Sequence, residues 1–122
     1  IKEKESFMVK SDLRVPSPLR KGGAKLLYDF AILGVTPLLC ASRKGHTSTV
    51  SVLLAAGAEV DLADDAQRTP LLLACQRGHT DTASMLLAAG AMVNLTDNHG
   101  VTPLHIACYV GHAAVAELLI HA

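Results

Sequence analysis

The sequence predicts an all-α fold in which short helix pairs stack side by side, and three features carry that expectation. Half of the residues are hydrophobic, yet there are only two Tyr, two Phe and no Trp. A core must then be built from Ala, Leu and Val, small residues that let helices approach closely, with Ala and Leu favouring helix. Thr-Pro-Leu recurs at Thr36–Leu38, Thr69–Leu71 and Thr102–Leu104, and Gly-His at Gly45-His46, Gly78-His79 and Gly111-His112, always 33 residues apart. Aligning residues 36–62 with 69–95 gives 18 identities in 27 positions, so the period marks a repeated structural unit rather than biased composition.

Residues 1–29 stand outside the period. Residues 1–25 hold seven basic and three acidic residues, while residues 26–122 hold four basic and eight acidic. The reading is a basic amino-terminal arm, or a degenerate capping segment, attached to a mildly acidic body. Lys2–Glu5 reads as a frayed helical turn, and Val15–Leu19, with Pro16 and Pro18, as extended chain. Leu26, Leu27 and Phe30 are suited to cover the first unit; a disordered arm is the alternative. Ser17-Pro18-Leu19-Arg20 resembles the Ser-Pro-x-basic site of proline-directed kinases, and phosphate on Ser17 would lower the arm's net charge from about +4 to about +2. A proline-kinked linker is the competing reading.

The repeat domain is expected over residues 30–122, in units of about 30–62, 63–95 and 96–122. Each signature Thr is suited to cap a helix and the Pro after it to open one. The first helix of a unit then runs to the Gly of Gly-His, which ends it. A second helix follows from about Thr47 to Ala56 in the first unit, with Val50, Leu53 and Leu54 on one face, and Gly57 or Gly90 stops it by entering positive φ. Glu59–Arg68 and Met92–Val101 are polar and read as projecting turns. Helices this short cannot bury both faces alone, so Leu38, Leu71 and Leu104 are expected in one row between units and Leu53, Leu86 and Leu119 in a second.

With these motifs the chain resembles the ankyrin-repeat family over roughly residues 30–122. The resemblance implies a solenoid of stacked antiparallel helix pairs with projecting β-hairpin-like turns, and binding of other proteins as the usual activity. The family's Thr-Pro-Leu-His signature, in which the His bonds the Thr, is complete only at Thr102–His105; Leu39 and Leu72 replace it earlier. Its Asp-x-x-Gly turn is intact at Asp97–Gly100, keeps Asp64 but has Gln67 in the second unit, and keeps only Gly34 in the first. Asn94 lies where the family resembles a site of asparaginyl hydroxylation, although Met92 stands where an acidic residue is preferred. The chain stops within the period, and α-helical residues Ala113–Ile120 carry few charges, so further repeats or a partner are expected to cover the last unit.

Little points to chemistry. Cys75 with His79 and Cys108 with His112 are one repeat position copied once, and helices packed ~8–10 Å apart do not let the copies converge on one zinc ion. Cys75 and Cys108 therefore read as small core residues at the position of Ser42, and the Gly-His histidines as partners of loop backbone. No nucleophile elbow or phosphate loop is present, and Asp64 and Asp65 read as solvated neighbours on a turn. Neither an enzyme, a metal site nor a cofactor is expected. The body has no basic stripe for nucleic acid. Cysteines that are sparse and odd in number suit reduced thiols in the cytoplasm or nucleus, and no signal peptide or membrane span is evident.

Recognition is expected at positions that differ between units. Arg43, Gln76 and Tyr109 share one register, and Lys44, Arg77 and Val110 the next, at the ends of the first helices; in the family this face lines a concave groove. Asp65, Arg68, Asn98, His99 and Val101 extend it along the turns. Aromatic and Arg side chains dominate interface energetics, so Tyr109 is the expected anchor. The expected partner is another protein presenting an extended segment, with an acidic portion facing Arg43, Lys44 and Arg77, in a scaffold or adaptor. A spacer within a longer solenoid and a regulatory subunit of an enzyme are the alternatives.

Overall fold

A computed structural model of the chain describes residues 33–122; the amino-terminal arm with Ser17, Leu26, Leu27 and Phe30 lies outside them. Among the described residues six whole helices run in order: α1 Pro37–Lys44, α2 Thr47–Ala55, α3 Pro70–Arg77, α4 Thr80–Ala88, α5 Pro103–Val110 and α6 Ala113–Ile120. Each odd-numbered helix opens on the Thr-Pro pair. The side-chain oxygens of Thr36, Thr69 and Thr102 accept the backbone N–H of Leu39, Leu72 and His105 at 3.1 Å each. The Pro that follows has no N–H to orphan there. Gly45, Gly78 and Gly111 close these helices in the left-handed region at φ 74°, 75° and 85°, where a side chain is disfavoured. One further residue, a His, turns the chain into the second helix of the pair.

Sequence neighbours α1 and α2, α3 and α4, and α5 and α6 pack as antiparallel pairs, while α1, α3 and α5 form one layer and α2, α4 and α6 another. The result is an all-α stack of three units. Its core alternates Leu, Val and Ala: Leu38, Ala41, Val50, Leu71, Ala74, Ala83, Leu86, Ala107, Val115 and Leu119 are all buried. A fully buried Leu or Val contributes about 1.5–3 kcal/mol of transfer free energy. The two expected leucine rows form, and position in the stack modulates them. Leu38 and Leu71 are buried and Leu104 is half-buried, and likewise Leu86 and Leu119 are buried and Leu53 half-buried. The central unit, flanked on both sides, buries every residue from Pro70 to Cys75.

The projecting turns are closed by backbone hydrogen bonds, and no strand occurs among the described residues. Asp64 N–H donates to the Arg68 carbonyl at 3.1 Å and Asp97 N–H to the Val101 carbonyl at 3.0 Å. Neighbouring turns join through Asp65 N–H to the Leu33 carbonyl at 3.1 Å and Asn98 N–H to the Ala66 carbonyl at 3.0 Å. The fingers are therefore tied unit to unit and carried by the helix stack.

Asp64 corrects the expectation of a solvated pair. It is 5 % exposed; its Oδ1 accepts from Ala66 N–H at 3.0 Å and Arg68 N–H at 2.9 Å, and its Oδ2 pairs with Arg68 Nε and Nη2 at 2.8 Å each. Backbone amides that the tight turn leaves without partners draw the carboxylate inward. Asp65 remains exposed, as expected. Cys108 is a second correction: it is exposed, whereas Ser42 and Cys75 at the same register are fully buried. Their inward face is covered by the unit that follows each of them, and among the described residues nothing follows the third.

Candidate functional site

The candidate site lies where the inner helices meet the fingers. Leu72 and Gln76 are one turn apart on α3 and so share a face; Ile106 on α5 stands opposite, and the two fingers rise beside them. Together they enclose an open depression of about 290 Å³, lined by Leu72, Gln76, Ile106, Ala66 and Arg68 with Asp97, Asn98, His99 and Val101. Leu72, Val101 and Ile106 make an apolar floor, and Gln76, Asn98 and His99 supply polar groups around it. A pocket of this make-up suits one apolar side chain of a segment whose backbone or polar groups bond the rim.

Five of the positions expected from sequence come together here: Arg68, Gln76, Asn98, His99 and Val101. Leu72, Ile106, Ala66 and Asp97 were not expected. Leu72 had a signal, since it departs from the signature at the register where His105 stands. Of the remaining expected residues, Arg43, Lys44 and Arg77 are exposed in the last turns of α1 and α3, where cations also complement the helix dipole. Tyr109 is 88 % exposed and Val110 42 % exposed at the end of α5. Asp65 is exposed on the second finger. None of these six lines the depression.

Local chemistry decides which of these side chains are free to act. The Arg68 guanidinium is held by Asp64, so it shapes the rim more than it offers a cation. Asp97, by contrast, faces Val101 in place of an Arg. Its Oδ1 accepts from Val101 N–H at 3.0 Å and His99 N–H at 2.8 Å. The bond from Val101 does most to hold its carboxyl below the ordinary value of 3.8, with the His99 bond and the His99 and Arg68 charges adding to it and partial desolvation opposing. The rim thus sets the Asp97 carboxylate beside the amides of Gln76 and Asn98. Asn94 is exposed on the turn Met92–Val101.

The other side of the stack offers a different surface. A polar hollow of about 340 Å³ runs past Gly45, Thr47, Gly78 and Thr80–Thr82. His79 lines it with Nε2 3.0 Å from the Arg43 carbonyl, so this Gly-His histidine meets the last helical turn of the preceding unit where loop backbone was expected. Cys75 is fully buried, and desolvation pushes its thiol up to about 12, away from the thiolate form that reacts. No group of His, Cys, Asp and Glu suited to hold a metal occurs among the described residues, and no helix there is long and apolar enough to cross a membrane.

A family model described as ankyrin repeats in three copies matches residues 38–122. No curated protein matches the chain.

Proposed function

The chain belongs to the ankyrin-repeat family, and on that premise we propose that it is a binding module of a scaffold or adaptor, not an enzyme. Repeats of this family are generally protein–protein interaction modules. The ligand is a segment of another protein, laid along the ends of the inner helices. One apolar side chain enters the depression between α3 and α5, and an acidic portion faces Arg43, Lys44 and Arg77. Tyr109 anchors the far end. The observation that carries this reading is the depression itself, because it joins an apolar floor to polar groups at positions the three units do not share. Free Cys40, Cys75 and Cys108 fit a reducing, intracellular setting.

The test is capture of a partner by the whole chain from cell extract, identified by mass spectrometry, then remeasured with purified partner. Arg77→Glu combined with Tyr109→Ala should abolish capture while helical circular dichroism stays unchanged. Capture at full strength by that variant moves the site off the inner helices.

A further inference from the structure

The turns Asp64–Arg68 and Asp97–Val101 repeat bond for bond until they reach one oxygen. In each, the Asp N–H donates to the carbonyl four residues on, at 3.1 Å to Arg68 and 3.0 Å to Val101. The Asp carbonyl accepts from Gln67 in the first and from Gly100 in the second. Oδ1 accepts two backbone N–H groups in both, from Ala66 and Arg68 on Asp64 and from His99 and Val101 on Asp97. The other carboxylate oxygen is where they part. Asp64 Oδ2 holds the Arg68 guanidinium through Nε and Nη2 at 2.8 Å each. Val101 stands at the register of Arg68, so the later turn supplies no cation of its own. Asp97 Oδ2 has no hydrogen-bond or ion-pair partner among the described residues.

The exchange of Arg for Val changes the depression twice over. Val101 adds to the apolar floor, and the half-buried Asp97 beside it keeps an unmatched carboxylate oxygen that its two amides hold in place. Arg68 borders the same depression, but Asp64 already matches its charge. A guanidinium is the group that fits. It can set two N–H groups on one oxygen, as Arg68 does, and it has further N–H groups for neighbouring acceptors. The side chains of Gln76 and Asn98, each with an amide oxygen, line the depression too. The planar fork is pre-organised, so it loses less freedom for each bond than a lysine ammonium does.

We propose that the bound segment carries an arginine within two residues of the apolar side chain that enters the depression, and that this arginine pairs with Asp97 Oδ2 as Arg68 pairs with Asp64. Residues two apart in an extended chain share a face about 7 Å apart. One can therefore occupy the floor while the other reaches the carboxylate. The inference rests on the groove reading and adds a specificity to it. The segment is of mixed charge, its acidic portion on Arg43, Lys44 and Arg77 and its required cation on Asp97.

The test pans a phage-displayed library of random dodecapeptides on the whole chain. Parallel pannings use Asp97→Asn, Val101→Arg, and Arg77→Glu combined with Tyr109→Ala, each with helical circular dichroism checked against the native chain. Asp97→Asn still accepts the two turn amides but carries no charge, and Val101→Arg gives the later turn the ion pair of the earlier one. Peptides selected by the native chain should share an arginine within two residues of an apolar residue, and both of these variants should lose that preference. In a selected peptide, citrulline in place of the arginine keeps the shape and removes the charge. It should weaken binding to the native chain by on the order of tenfold, and binding to Asp97→Asn by less than about twofold. Peptides that depend on Arg77 and Tyr109 yet show no arginine preference overturn the inference and leave the groove reading standing. So does an arginine preference that survives on Asp97→Asn. Selection of no peptide, or of peptides indifferent to all three variants, overturns both.

Discussion

Gln67 holds φ 64° at the finger position where Gly100, one unit later, holds φ 79°. Its N–H donates to the Asp64 carbonyl at 2.9 Å as that of Gly100 donates to Asp97 at 3.1 Å, so the turn demands the same left-handed backbone from both. A side chain in that region costs roughly 1–2 kcal/mol, and glycine forfeits about 0.4–1 kcal/mol of that advantage through the entropy of the unfolded chain. Gln67 is exposed and packs against little. Gln67→Gly is expected to stabilise the domain by about 0.5–1 kcal/mol, measured as a shift in urea midpoint at unchanged slope. A loss of stability would show that the glutamine side chain holds the finger.

Thr82 sits on α4 with no exposure, and its hydroxyl has no hydrogen-bond partner among the described residues. The same register in α6 carries Val115, 1 % exposed, so the site accepts a branched apolar side chain. An unsatisfied buried hydroxyl costs about 1–3 kcal/mol. Thr82→Val should raise stability by about 1–2 kcal/mol, whereas Thr80→Val, at a half-buried position two residues earlier, should stay within about 0.5 kcal/mol. Thermal melts of both variants decide it; a destabilised Thr82→Val means that the hydroxyl is bonded after all.

The caps differ in burial, and their loss should differ accordingly. Thr69 is 3 % exposed, and its bond to Leu72 N–H is shut from water. Thr102 is half-exposed, and the His105 ring beside it, with Nδ1 3.3 Å from Thr102 N, completes a capping box. Losing an N-cap costs ~0.5–2 kcal/mol, with the buried case toward the upper end. Thr69→Ala is therefore expected to lower stability more than Thr102→Ala in chemical denaturation, even though the latter breaks a fuller network. The reverse order would mean that the imidazole, rather than exclusion of water, sets the strength of the cap.

The repeat, the helix boundaries and the order of the layers were legible because each rests on local chemistry that recurs three times: Thr before Pro, Gly before His, Leu at fixed spacing. The site was legible only in part, for a physical reason. Comparing units reveals the positions that vary, such as Gln76 and Tyr109, but a pocket floor is made by residues that are distant in sequence and brought together by stacking, as Leu72 and Ile106 are. Burial at fixed register was hidden in the same way. Cys75 and Cys108 read alike in sequence, yet among the described residues the first is buried and the second exposed. Asp64 was misread because an acidic pair on a turn suggests water, while the turn's own amides favoured drawing one of the two inward.

Asp97 should leave a signature in the dependence of stability on pH. Its carboxyl is held below the ordinary 3.8 by the bond from Val101 first and that from His99 after it, and the unfolded chain lacks both bonds. A group whose pKa falls on folding stabilises the native state fully above its unfolded value, and that contribution disappears as pH drops through the folded one. Asp97→Asn keeps an oxygen to accept the two N–H groups but cannot titrate. The native chain should therefore be more stable than Asp97→Asn near neutral pH, and the gap should close progressively as pH falls below 3.8. Urea midpoints measured for both proteins from neutral pH downward test it. Parallel curves across that range would show that the carboxylate charge, as distinct from the turn it caps, contributes nothing to the fold.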